Sequence, residues 1–284
     1  MLRSNGSADT FPNVTQYSEG TTVNHLNLSI HGASATITLT NPPQNRLGIQ
    51  MLEELEAAVD AIANSGVRAL LIRADGPDFS YGGDIMPWAG MKTWNLRALF
   101  QRYMTVFNRI ESLPFPTVAA VRGICFGGGF ELALRCDIIL AASSARFAHP
   151  EQSLGITTLI GGVYRVAERA GRAFAAELAF TSDPVDAATL LQRGVVNHVV
   201  AEEVLDEEAA ALIRRLAKGP TRAHAAHKAV LRLWASGGVQ AADEAIFDIQ
   251  MPLFDTEDTK RGLQSAMDAL SRGVKRPVLD FEGH

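Results

Sequence analysis

Residues 117–131 read TVAAVRGICFGGGFE and combine a strand, a glycine-rich turn and the start of a helix. Thr117–Val121 is a short apolar run, which predicts a strand. The triple glycine Gly127–Gly129 follows, and a helix is predicted to begin near Phe130. Glycines let backbone N–H groups come close to a ligand, and the start of a helix presents unpaired N–H groups to an anion. The stretch therefore predicts a ligand-facing turn after a strand of an α/β fold.

A second glycine-rich turn, Phe79–Asp84, follows the predicted buried strand Val67–Ile72. Its Gly83 lies 45 residues before Gly128. Two such turns together can form an oxyanion hole, in which one N–H donor contributes roughly 3–4 kcal/mol to catalysis. Neither turn has the G-x-G-x-x-G spacing of a dinucleotide site, and no phosphate-binding Gly-Lys-Ser/Thr follows.

Strands and helices alternate along the chain up to about Val200, which favours an α/β core with crossover connections. Two alternating runs near the N-terminus, His25–Ile30 and Ala35–Thr40, predict a hairpin. Apolar residues at helical spacing predict amphipathic helices around residues 49–62 and 96–110.

Only helical patterns remain after Glu202, at residues 202–218, 221–236, 238–253 and 256–271. We therefore expect three parts, which are a flexible N-terminal tail (1–22), a core that holds the site (23–202) and a C-terminal helical region (203–284).

The composition of the chain excludes several classes of protein. Of 284 residues, 47% are hydrophobic and 20% are charged, which is enough to bury a core and argues against disorder. The net charge of −5 argues against a nucleic-acid partner. No apolar run reaches the ~18 residues of a membrane span, and the N-terminus lacks the apolar region of a secretion signal, so we expect a cytoplasmic protein without a membrane partner. The two cysteines, Cys125 and Cys136, predict neither a disulfide framework nor a metal site.

A series of motifs across residues 25–275 resembles the crotonase (enoyl-CoA hydratase/isomerase) superfamily. Beside the two glycine turns, the motifs include Asn45-Arg46-Leu47, Glu131-Leu132-Ala133-Leu134, His149-Pro150-Glu151, Gly161-Gly162 and Phe254-Asp255-Thr256-Glu257-Asp258. The resemblance implies a crotonase-like spiral of ββα units and a C-terminal helical region that makes a homotrimer or a dimer of trimers. It also implies an acyl-CoA thioester as the ligand, with no cofactor or metal besides. The oxyanion hole then consists of the N–H groups of Gly83 and Gly128.

Two acids stand at the family's catalytic positions, Glu131 and Glu151. The hydratase branch has glutamates at both positions, whereas many isomerases keep only the second. Hydration needs one carboxylate to activate water for attack at Cβ and one acid to protonate Cα, and we assign these roles to Glu131 and Glu151. The alternatives are a double-bond isomerase that uses Glu151 alone and an inactive acyl-CoA-binding scaffold. Without the resemblance, Glu131 reads as a charge complement at a helix N-terminus and Glu151 as an exposed loop acid.

The family's loop Leu-Gly-x-x-Pro-Gly-x-Gly-Gly carries Thr158 and Leu159 here in place of Pro-Gly. We expect the leucine to crowd the water or to reshape the acyl pocket. Arg122 stands where the family often has Asn or Asp, and we expect a carboxylate partner, Asp84 or Asp137. The residues predicted to bind substrate are Asn45, Arg46, Tyr81, Asp84, Ile85, Phe126, Phe130 and Leu159. The alternative is core packing for Phe126 and Phe130 and packing within the loop for Tyr81.

Overall fold

The computed structural model describes residues 24–284, so the tail predicted at residues 1–22 lies outside the described residues. The strands are β1 Leu26–His31, β2 Ser34–Leu39, β3 Ala69–Ala74, β4 Thr117–Val121, β5 Ile124–Phe126, β6 Ile138–Ala142, β7 Arg146–Ala148, β8 Val185–Asp186 and β9 His198–Val200. The helices are α1 Ile49–Ala63, α2 Thr93–Glu111, α3 Gly128–Ala133, α4 Gly162–Ala170, α5 Arg172–Thr181, α6 Ala187–Gln192, α7 Leu205–Ala217, α8 Thr221–Gln250 and α9 Glu257–Arg272.

Two sheets organise the core. The larger has the order β1-β2-β3-β4-β6-β9, and the smaller has the order β5-β7-β8. The predicted hairpin is confirmed, because β1 and β2 pair antiparallel with Leu28 opposite Ile37. Every other pair in the larger sheet is parallel, as the alternation of strands and helices predicted. The strand β5 was not predicted, and its three residues lie directly before the triple glycine Gly127–Gly129.

The central strands β3, β4 and β6 of the larger sheet are buried on both faces. On β4, Ala119 and Val121 face a core formed with α1 and α2, while Val118 and Ala120 face α7. This double burial explains why the central parallel strands read as continuous apolar runs. The helix α7 packs on the sheet through Leu205, Ala209, Ile213 and Ala217, although it begins after the predicted boundary at residue 203.

The partner predicted for Arg122 was wrong. Its guanidinium lies 2.7 Å from the Asp206 carboxylate at the start of α7. Asp137 instead pairs with Lys228 at 2.6 Å, and Asp84 forms no ion pair among the described residues. The true partner follows from the docking of α7 on the sheet, which local sequence does not specify.

The C-terminal helices confirm the predicted breaks. Gly238 has φ +73° and interrupts α8, because this backbone conformation is not helical. The Thr256 hydroxyl accepts a hydrogen bond from the Thr259 N–H and caps α9. Among residues 24–284, no helix has both the length and the apolar content that a membrane crossing requires.

Candidate active site

Three segments far apart in sequence meet at the two glycine turns. The Leu47 N–H donates to the Gly82 carbonyl at 2.9 Å, and the Asp84 N–H donates to the Leu47 carbonyl at 3.0 Å. A Cβ atom on Gly128 would lie 3.1 Å from Leu47 Cδ1 and 3.6 Å from the Gly83 nitrogen. The two turns are therefore in direct contact, as an oxyanion hole requires.

The N–H groups of Gly83 and Gly128 are free. Within residues 24–284, neither donates to a backbone or side-chain acceptor. The N–H and C=O of a trans peptide point in opposite directions. The Gly82 carbonyl points to Leu47, and the Gly127 carbonyl accepts from Glu131 inside α3. The Gly83 N–H therefore points away from Leu47, and the Gly128 N–H points away from the body of α3.

The contact between the turns requires glycine. Gly82 has φ +90°, and a Cβ there would lie 2.9 Å from the Phe126 carbonyl oxygen and 3.0 Å from the Gly128 nitrogen. A Cβ on Gly129 would lie 2.6 Å from Ser80 Cβ. Such separations are too short for real side chains, so any substitution would push the turns apart.

Glu131 is held by the loop that precedes α4. The first turn of α3 places it in the interior, where only 2% of the residue is exposed. Its Oε1 accepts from the N–H groups of Ile160 at 2.8 Å and Gly162 at 2.9 Å. Burial and the neighbouring Glu151 raise the pKa of Glu131 to about 7, against the opposing effect of the two amides and Arg135. The carboxyl thus titrates near neutral pH.

Glu151 lies in a 3-10 turn, residues 150–154, and is 8% exposed. Its Oε2 is buried and accepts no hydrogen bond in the described part of the chain. Burial raises the pKa of Glu151, which favours its protonated form. The neighbouring His149 ring lies 3.9 Å from this oxygen and stacks on Phe130. Burial lowers the pKa of His149 to about 4, so the imidazole is neutral.

A cavity of about 280 Å³ joins the turns to both acids. Its walls are mostly apolar, and its polar groups are few and convergent, which is typical of a small-molecule site. Ten predicted site residues line it: Arg46, Tyr81, Gly83, Asp84, Ile85, Phe126, Gly128, Glu131, Glu151 and Leu159. Among residues 24–284, no group of three His, Cys, Asp or Glu side chains could hold a metal ion.

Two predicted substrate-binding residues do not line this cavity. Asn45, which has φ +48°, donates from its buried side chain to the carbonyls of Asp75 and Asp78 and accepts from the Asn41 N–H. Phe130 is fully buried and packs between Phe147 and His149. The expectation is corrected, because Asn45 braces a loop and Phe130 belongs to the core.

Several cavity residues were missed in the sequence. Trp88 lies against the turn Phe79–Asp84, since a Cβ on Gly83 would lie 2.8 Å from its ring, and it packs edge-on against Phe100. Tyr103 donates to the Gly48 carbonyl at 2.6 Å. Phe100 and Tyr103 belong to the predicted apolar face of α2, so the sequence contained a signal for their burial but none for the cavity.

Thr158 and Leu159, which replace the family's Pro-Gly pair, make different contacts. The Thr158 hydroxyl accepts from the Val163 N–H at 3.3 Å and so supports the start of α4. Leu159 lines the cavity together with Glu131 and Ile160.

Comparisons with known proteins identify the family of the chain. The family model described as "Enoyl-CoA hydratase/isomerase" matches residues 29–270. A Bacillus subtilis (strain 168) protein named "Probable enoyl-CoA hydratase" is 31% identical over 87% of this chain and 96% of its own length. Crotonyl-CoA hydratase of Syntrophomonas wolfei is 33% identical over 79% of this chain and 87% of its own.

A solved structure of an enoyl-CoA hydratase subunit from Geobacillus kaustophilus HTA426 superposes with a TM-score of 0.82. It is 32% identical, and the match covers 92% of this chain and 98% of that one. Sequence and architecture agree over nearly the whole described chain, which therefore belongs to the enoyl-CoA hydratase/isomerase family and has the crotonase fold.

Proposed function

We propose that this enzyme hydrates a 2-enoyl-CoA to a 3-hydroxyacyl-CoA. The observation that carries the proposal is one cavity that holds two unpaired backbone N–H groups, of Gly83 and Gly128, together with two buried carboxyls, of Glu131 and Glu151. The N–H pair would stabilise the negative charge that develops on the thioester oxygen. The proposed reaction uses no cofactor other than the CoA carried by the substrate.

The proposed reaction moves two protons in one addition. Glu131, as carboxylate, accepts a proton from water while the water oxygen bonds to Cβ. The electrons of the double bond move toward the thioester oxygen, giving an enolate. Glu151, as carboxylic acid, then protonates Cα, and the proton on Glu131 returns to Glu151 through water to restore both groups.

Burial raises the pKa of both acids, and the difference in their hydrogen-bond donors supports these roles. Two N–H donors on Oε1 favour the ionised form of Glu131, and no donor meets the buried Oε2 of Glu151. Two neighbouring carboxyls in a cavity of low polarity do not both ionise readily, so the pair suits one base and one acid.

A variant test separates this function from the two alternatives. Glu131→Gln keeps an acceptor for the two amides but removes the base. We expect hydration, followed at the absorbance of the conjugated thioester with short, long, branched and aromatic enoyl-CoA substrates, to fall by at least about 10²-fold. Glu151→Gln should abolish both hydration and isomerisation.

The matched control is Glu207→Gln, which alters an exposed acid in the first turn of α7 and should leave turnover unchanged. Hydration retained in Glu131→Gln would contradict the role of Glu131, and double-bond migration retained there would favour an isomerase. Thioester binding without any turnover in the wild type would favour the inactive scaffold.

A further inference from the structure

A buried cluster of charges lies behind the loop that holds Glu131. Arg135 follows α3, and its side chain has no exposed surface. It donates to the Ile160 carbonyl at 2.5 Å, to the Glu111 carboxylate at 2.9 Å and to Asn108 Oδ1. A buried arginine with no exposed surface needs such partners, because an unpaired charge in the interior is strongly destabilising.

Arg165 completes the cluster from α4. Its guanidinium donates twice to the Glu111 carboxylate, at 2.8 and 2.6 Å, and once to the Gly161 carbonyl at 3.2 Å. Glu111, the last residue of α2, therefore joins the two arginines. Each arginine also holds one carbonyl of the loop before α4.

Three consecutive residues, Ile160, Gly161 and Gly162, lie between Glu131 and the two arginines. The Ile160 and Gly162 N–H groups donate to Glu131 Oε1, while the Ile160 and Gly161 carbonyls accept from Arg135 and Arg165. Gly161 lies between the two donors and has φ +94°, a backbone conformation that favours glycine. The Glu131 carboxylate and the two arginines thus form hydrogen bonds to the same three-residue segment.

We propose that Arg135 and Arg165, joined by Glu111, are positioning residues that fix the amide pair which orients the catalytic carboxylate of Glu131. The inference rests on the proposed function for its effect on turnover, but the coupling between the arginines and the amides is testable without turnover. Arg135 also acts through its charge, which lowers the pKa of Glu131 and helps keep the carboxylate ionised.

The test compares Arg135→Met with Arg169→Met. Arg169 is half-buried and donates to the carbonyls of Leu134, Cys136 and Val195, but it forms no hydrogen bond with the loop or with Glu131. We expect Arg135→Met to lower kcat about 10- to 100-fold with KM within twofold, because a small misplacement of a catalytic group has effects of this size. Its kcat should also begin to fall at a higher pH than that of the wild type as the pH is lowered, since Glu131 loses a neighbouring positive charge.

Hydrogen exchange supplies the readout that needs no substrate. The Ile160 and Gly162 amides should exchange about tenfold faster in Arg135→Met, and remain as in the wild type in Arg169→Met. Arg135→Lys should restore much of the pH profile but not the slow exchange, because one ammonium group keeps the charge but cannot match the several contacts of the guanidinium. If Arg135→Met does not fold, Arg165→Gln serves the same comparison.

Wild-type kcat, pH profile and amide exchange in Arg135→Met, or equal changes in Arg169→Met, would overturn the inference. A wild-type protein that hydrates no thioester, with fast exchange in Arg135→Met, would instead refute the proposed function and leave the positioning role supported.

Discussion

Glu131 shows how a single buried carboxyl links activity to stability. Its folded-state pKa is about 7 against 4.5 for a free glutamate, mainly because the site is buried. A group that binds its proton more tightly in the folded state stabilises the fold below its unfolded-state pKa. That contribution is lost as the pH rises from about 4.5 to about 7. Ionising Glu131 therefore costs the folded state about 3 kcal/mol above pH 7.

Glu131→Gln should remove this cost, because the amide has no charge to desolvate. We expect the variant to match the wild type near pH 4.5 and to exceed its free energy of unfolding by up to about 3 kcal/mol at pH 8. Urea denaturation across this pH range measures the difference, with Glu207→Gln as the control that should show none. A difference that does not grow with pH would contradict the raised pKa.

At the scale of elements, the site depends on close contact between two turns. Gly82→Ala introduces a Cβ at 2.9 Å from the Phe126 carbonyl oxygen, whereas Gly76→Ala places one in open space. Both glycines have similar positive φ angles, +90° and +85°, so the backbone strain of the two variants is comparable. Comparing the two variants therefore separates the effect of the contact between the turns from the effect of backbone strain.

Gly76→Ala should lose about 1 kcal/mol of stability and keep its activity. Gly82→Ala should lose a similar amount or more and reduce kcat by about 10²- to 10³-fold, because displacing the turn removes an oxyanion donor. Thermal unfolding and steady-state kinetics on both variants provide the measurement. Equal kcat values would show that the turns tolerate separation.

The predictability of each element follows the range of the interactions that form it. The strands β2, β3 and β4, the hairpin and the amphipathic helices are predictable, since burial on one or two faces leaves a local apolar pattern. The three-residue β5 is too short for such a pattern. The structure brings Gly83, Gly128, Glu131 and Glu151 to one cavity, and it was their motifs rather than their periodicity that indicated the site.

Long-range partners explain what the sequence did not reveal. Arg135 ends an apolar run, Leu132-Ala133-Leu134, and a charge in such a place indicates a buried ion pair. Its partners Glu111 and Ile160 lie 24 and 25 residues away and have no local signature. Phe130 was assigned to the pocket because it adjoins the glycines. Successive side chains of a helix point in different directions, however, and that of Phe130 lies in the core.

On the scale of the whole molecule, the C-terminal helices expose large apolar side chains. They include Leu231, Trp234, Val239, Phe247, Met251, Phe254, Met267 and Leu270. Exposed apolar surface of this kind is typical of an interface between proteins. Together with the family resemblance, it supports our proposal that the chain forms a homotrimer or a dimer of trimers.

Light scattering should give a mass three or six times the 30.6 kDa of one chain. Phe247 is 65% exposed in the single chain. Phe247→Asp would place a charge in the proposed interface and should lower that mass, while Glu207→Gln should not. A wild-type mass of one chain at micromolar concentration would contradict the proposed assembly.

The meeting of Gly83 and Gly128 has a thermodynamic consequence. The two turns are 45 residues apart in the chain, so a molecule whose oxygen accepts from both N–H groups acts as a bridge between distant segments. Because such a molecule binds only the native state, its binding shifts the unfolding equilibrium toward the native state by mass action. Recognition of an acyl thioester can in this way be detected as resistance to heat, even for a compound that the enzyme never converts.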